Sequence, residues 1–88
     1  MEFRWNAANE QHIASHNISA EEAEYVVNRS SRPYPTYEGD GKFLVRGQTE
    51  SGNYLQVIYI FDPNDVVYVI HARLLTDREK RNLRKRRR

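Results

Sequence analysis

The sequence predicts an α+β fold: a short N-terminal strand and two helices packed on an antiparallel β meander, then a basic C-terminal helix. Three observations predict it. Ser19-Ala20-Glu21-Glu22 has the spacing of a capping box ahead of the apolar stripe Ala23, Val26 and Val27, which marks a helix in the first third of the chain. Between Lys42 and Arg73, runs rich in β-branched and aromatic residues alternate with turn formers, the pattern of a three-strand meander. The charge is also split. Met1 to Ala72 holds five Lys or Arg against ten Asp or Glu, whereas Arg73 to Arg88 holds nine basic residues against Asp77 and Glu79.

Each element has a local reason. Phe3 and Trp5 alternate with Glu2 and Arg4, so a short strand with its aromatic side inward is expected first. Asn6 reads as an N-cap, and the helix after it, Ala7 to Ser15, sets Asn9, His12 and His16 on one face with Trp5. Asn17 ends that helix in the left-handed conformation that Asn tolerates. The second helix begins at Ser19, and the carboxylates of Glu21, Glu22 and Glu24 are explained by the positive end of its dipole.

Asn28 to Glu38 has two prolines, three small hydroxyl residues and no period, so it reads as a loop or irregular edge. Within it Arg29, Arg32, Tyr34 and Tyr37 interleave charge with rings. That is either a surface for stacking bases or a loop pinned by its tyrosines. Gly39-Asp40-Gly41 is a turn without the lysine-serine pair of a phosphate loop.

The meander runs Lys42 to Gln48, Tyr54 to Phe61 and Val66 to Arg73, with turns at Glu50 to Asn53 and Asp62 to Asp65. Leu55, Val57, Tyr59 and Phe61 alternate with Tyr54, Ile58 and Ile60, so the middle strand is apolar on both faces and belongs in the centre of the sheet. Strict alternation in the last strand puts Val67, Val69, His71 and Arg73 on one face. Thr76-Asp77-Arg78-Glu79 is a second capping box, opening a basic helix over residues 76–88. Leu83 is its sole apolar side chain, so packing alone holds it poorly and fraying is expected over Lys85 to Arg88.

Eighty-eight residues are expected to form one domain with one modest core. The absence of cysteine excludes disulfides and thiolate metal sites and is compatible with a reducing compartment. The longest apolar run, Val57 to Phe61, is too short for a bilayer, and the opening residues lack a signal peptide's apolar stretch. A cytoplasmic protein without a membrane partner is therefore expected. The basic tail is an electrostatic footprint for a polyanion, commonly nucleic acid, or else a solvated helix. His12 and His16 have the i, i+4 spacing of two metal ligands. No Glu follows His12 and the sequence reveals no third ligand, so no metal is expected.

Across nearly the whole chain, the Pro/Tyr loop excepted, these residues resemble BrnT-type toxins of bacterial toxin–antitoxin pairs. The resemblance rests on Phe3-x-Trp5-Asn6, on Asn9-x-x-His12-Ile13-x-x-His16-Asn17-Ile18-Ser19, and on Glu21-Glu22-Ala23. It continues in Gly41-Lys42-x-Leu44-x-x-Gly47-Gln48-Thr49, in Tyr54-Leu55-x-Val57, and in Val69-Ile70-x-Ala72-Arg73-x-x-Thr76-x-x-Glu79. The family usually has Asp at the place of Asn6, Gly at that of Asn17, and Ser or Thr at that of His71, so a role for His71 would be this protein's own.

The resemblance implies a RelE-like fold, ribonuclease activity, an RNA substrate and an antitoxin partner. Cleavage by attack of the 2′-hydroxyl needs a base, an acid and cations, and requires neither metal nor small-molecule cofactor. His71 is the candidate acid or base, because imidazole titrates near neutral pH, with Arg73 and Arg46 beside it. Tyr59 helps only from the same face. His16, at a helix end, is expected to bond a backbone carbonyl. Arg78, Arg81, Lys80 and Arg84 of the last helix are the candidate RNA contacts, walling a cleft floored by the sheet. The alternative on the same fold is a non-catalytic module that binds RNA or an antitoxin. A DNA-binding domain is weaker, because the basic helix follows a sheet and lacks a helix-turn-helix partner.

Overall fold

The computed structural model describes residues 1–86. The elements run α1 (Ala7–Ala14), α2 (Ala20–Asn28), β1 (Thr36–Tyr37), β2 (Phe43–Gln48), β3 (Tyr54–Phe61), β4 (Val67–Leu74) and α3 (Asp77–Arg86). The strands form one antiparallel sheet in chain order, so β4 is an edge and β3 lies inside. The helix starts are the expected ones. Asn6 and Asn9 cap α1 reciprocally and Ser19 and Glu22 cap α2, while Thr76 and Glu79 do the same ahead of α3. Asn17 closes α1 with a φ of 63°.

The core lies between the sheet and the first two helices. Ile13, Ile18, Ala23, Val26 and Val27 bury themselves against Val45, Leu55, Val57, Tyr59, Val67, Val69 and Ala72. A Leu or Val buried this fully stabilises the fold by roughly 1.5–3 kcal/mol. Gly47 is buried beneath α2, where an added Cβ would stand 3.3 Å from Val26 Cγ1. That contact is tight, so the absent side chain eases the approach of that helix to β2.

The initial strand shrinks to a single parallel bridge between Phe3 and Val67, in which the Val67 N–H donates to the Glu2 carbonyl and the Arg4 N–H to that of Val67. The proline-rich segment contributes the edge strand β1. Its tyrosines pin it: Tyr34 packs on the core, and the Tyr37 hydroxyl accepts the Gly41 N–H at 3.0 Å. Arg29 lies over the Tyr25 ring at 3.8 Å.

One expectation is overturned where it matters. Tyr59 pairs with Val69 but Ile58 pairs with His71, so Ile70 is an extra residue in β4. Such a bulge reverses the alternation. Val67 and Val69 therefore face the core with Tyr59, whereas His71 and Arg73 sit opposite Ile58 and Gln56 on the other face. The four residues do not share a side, but His71 and Arg73 still do. Phe61, on the same face as Tyr59, is 40% exposed at the strand end.

Candidate functional site

On the face away from the core, three neighbouring strand positions place Arg46, Gln56 and Arg73 in a row across β2, β3 and β4. Above them lies Glu79, in the first turn of α3. Its carboxylate accepts two bonds from Arg73, Nη1 at 2.8 Å and Nη2 at 2.9 Å, and a third from Arg46 Nη2 at 3.0 Å. The Gln56 side-chain oxygen accepts from Arg46 Nε at 3.0 Å and from Arg73 Nη2 at 3.3 Å. Two guanidiniums thus share one carboxylate and one amide oxygen, leaving a net positive charge. Bonds to Arg73 first, then the Thr76 N–H and the charge of Arg46, hold the Glu79 carboxyl down at about 2. The same bond raises Arg73 above its ordinary value.

This carboxylate also explains why a helix with one apolar residue holds. Leu83 and Leu75 are buried, and Glu79 ties the base of α3 to two strands. Gln56 and Glu79 are the site residues the sequence reading missed. Gln56 had a signal, as the lone amide in an apolar strand that is itself 6% exposed. Glu79 was hidden by its second role as the partner of Thr76.

His71 stands two residues before Arg73, at the sheet edge, and α1 packs along that edge. The anchor is Asn9, 3% exposed, whose Nδ2 donates to the Arg4 carbonyl at 3.2 Å and to the outward-facing Val69 carbonyl at 3.1 Å. With α1 so fixed, His12 and His16 face His71. His12 Nε2 lies 3.3 Å from His71 Nδ1, and the ring centroids of the three imidazoles are 5.5 to 5.9 Å apart. Burial, and after it the neighbouring imidazoles and Arg73, push His71 below its ordinary value, so it favours the neutral form that accepts a proton. The bond expected from the His16 ring to a backbone carbonyl is absent among the described residues; its neighbours are the two other rings.

Tyr59 is excluded from this face. It is 2% exposed on the core side, stacked on Phe43, and burial pushes its hydroxyl up. Arg78 and Arg81 are exposed on α3 and form no ion pair among the described residues. Lys80 stands 3.7 Å from Asp77, and Arg84 lies over the Tyr54 ring at 5.5 Å. Residues 87 and 88, the end of the expected fraying segment, lie outside the described residues. A surface depression lined by Tyr25, Arg29, Gln48 and Thr49 sits by α2 and the β2–β3 turn, on the other side of the sheet from Arg73.

Among the described residues no helix is long and apolar enough to cross a membrane. No family model matches the sequence, and no curated protein does. The fold is nevertheless shared with a solved bacterial protein. The particular structure it resembles is the ribonuclease toxin BrnT of Brucella abortus, with a TM-score of 0.65 and 20% sequence identity over 88% of this chain and 99% of that one. The chain has a BrnT-like fold.

Proposed function

We propose that this chain is the toxin of a toxin–antitoxin pair, an endoribonuclease that cleaves RNA without a metal cofactor and is held in check by an antitoxin protein. The observation that carries the reading is a BrnT-like fold whose sheet face away from the core gathers one imidazole and two guanidiniums at neighbouring positions. In this reading neutral His71 takes the proton of a ribose 2′-hydroxyl. The 2′-oxygen attacks phosphorus, the 5′-oxygen leaves and takes a proton from solvent water, and a 2′,3′-cyclic phosphate remains. Arg46 and Arg73 stabilise the charge that builds on the phosphoryl oxygens. Arg78, Arg81, Lys80 and Arg84 bind the flanking phosphates, so that α3 and the sheet face form a basic cleft for the strand. The reaction belongs to the cytoplasm, where RNA and antitoxin are both present.

The test is purified full-length protein incubated with RNA in the presence of EDTA, with and without ribosomes, alongside expression in a bacterial host. Cleavage and growth arrest are expected. Intact RNA under both conditions together with normal growth would end the proposal.

One observation favours a second reading, a non-catalytic module that binds RNA or an antitoxin. Arg73 spends both terminal nitrogens on Glu79 and so offers little to a phosphate. That reading expects RNA binding that weakens steeply with salt, and substrate recovered unchanged.

A further inference from the structure

The structure assigns a divalent transition-metal site, of zinc type, to His12, His16 and His71. The sequence showed only two ligands of a pair on one helix turn. Folding brings the third from the edge strand β4, some sixty residues away, and a ligand nitrogen from each ring lies within 4.8 Å of the other two. Tetrahedral zinc with bonds of about 2.0–2.1 Å places its ligand nitrogens roughly 3.4 Å apart. The His12–His71 separation of 3.3 Å already has that value. The other pairs need to close by a modest rotation of rings that are exposed at His12 and His16.

Three features make these rings a ligand set rather than a surface cluster. His12 lies on α1 and His16 in the turn that closes it, and α1 is held by a buried group, Asn9, bonded to the strand that carries His71. The donor set is imidazole alone, without carboxylate or thiolate, which suits zinc, copper, nickel or cobalt and not magnesium or calcium. Arg73, the neighbouring cation that would oppose a bound metal, is already paired with Glu79. Three protein nitrogens leave the fourth tetrahedral position to water, the arrangement of an open site.

Metal binding is read directly and stands apart from the ribonuclease reading. Where the two meet, a metal occupies the imidazole assigned to proton transfer, so zinc inhibits cleavage rather than supporting it.

The experiment titrates the full chain with cobalt(II) chloride by visible absorption and with zinc chloride by calorimetry and thermal melting, using magnesium as control. One equivalent of metal is expected to bind, with a cobalt spectrum of the intense four-coordinate kind, a raised melting temperature with zinc, and no effect of magnesium. His12→Gln, His16→Gln and His71→Gln should each weaken zinc binding by at least about 10–100-fold, the loss seen even when a group that only orients a ligand is removed. His16→Cys, which restores a ligand atom, should retain it. Because His12 and His16 are exposed, their variants keep the fold, as circular dichroism will show. Failure of zinc to bind at one equivalent, or binding undiminished in His71→Gln, overturns the site.

Discussion

Glu79 grips Arg73 through both carboxylate oxygens, at 2.8 and 2.9 Å, and by that contact fastens α3 to the edge strand. The pairing is bidentate, the strongest geometry a guanidinium and a carboxylate can form. It binds the two halves of the proposed site, the strand end and the basic helix, into one unit. Glu79→Gln should lower stability by about 1–2 kcal/mol, since the carboxylate is partly screened by water. Denaturant midpoints would measure it, and an unchanged midpoint would mean that α3 is held by Leu83 alone.

The same carboxylate gives the protein an acid limit. Its pKa is lowered from 4.5 to about 2 on folding, so the unfolded chain binds the proton more readily. The stabilisation is complete above about pH 4.5 and fades as the pH falls toward 2. Melting curves from pH 7 to 2.5 should show wild type and Glu79→Gln converging in that window and differing by a constant amount above it.

His71→Ala and Arg73→Ala should each abolish growth arrest and RNA cleavage while far-ultraviolet circular dichroism stays unchanged. Arg73→Ala also loses its bonds to Glu79, so its melting temperature falls with that of Glu79→Gln. Arg73→Lys separates charge from geometry, because an ammonium cannot reproduce the fork. Killing at the wild-type level by the two alanine variants would remove both residues from the site.

Asn9→Ala removes a buried amide that serves the Asn6 N–H and the Arg4 and Val69 carbonyls together. Leaving those groups unpaired should cost about 2–4 kcal/mol in urea unfolding. Because α1 then loses its anchor on β4, zinc affinity should fall in the same variant even though no ligand is touched.

Deleting Lys85 to Arg88 should weaken RNA binding and flatten its dependence on salt, each lost phosphate contact lowering the slope by about 0.7 for a single strand. Little change in melting temperature is expected. A large drop would show that the segment packs.

The overlap between sequence and structure follows the range of the signals. The starts of α2 and α3 were legible because a capping box is written within four residues, and Ala23, Val26 and Val27 were legible because helical spacing alone puts them on one side. The strands read well for a similar reason, the middle one matching Tyr54–Phe61 end to end. The misplacement of Val67 and Val69 beside His71 had a non-local cause. An extra residue in β4 is visible only against the register of β3, and nothing in Val-Tyr-Val-Ile-His announces it.

By itself, then, the sequence determined the three helices and the three-strand meander, the helix caps, the central place of β3 and the separation of an acidic body from a basic end. These follow from neighbours a few residues apart. Only the tertiary structure decided that Tyr59 is buried away from His71, that Arg46 and Arg73 share Glu79, and that His12 and His16 find a third imidazole. Each of those depends on which face a side chain takes after the bulge and on where α1 docks along the edge of β4. Both are fixed by hydrogen bonds and packing between segments far apart in the chain.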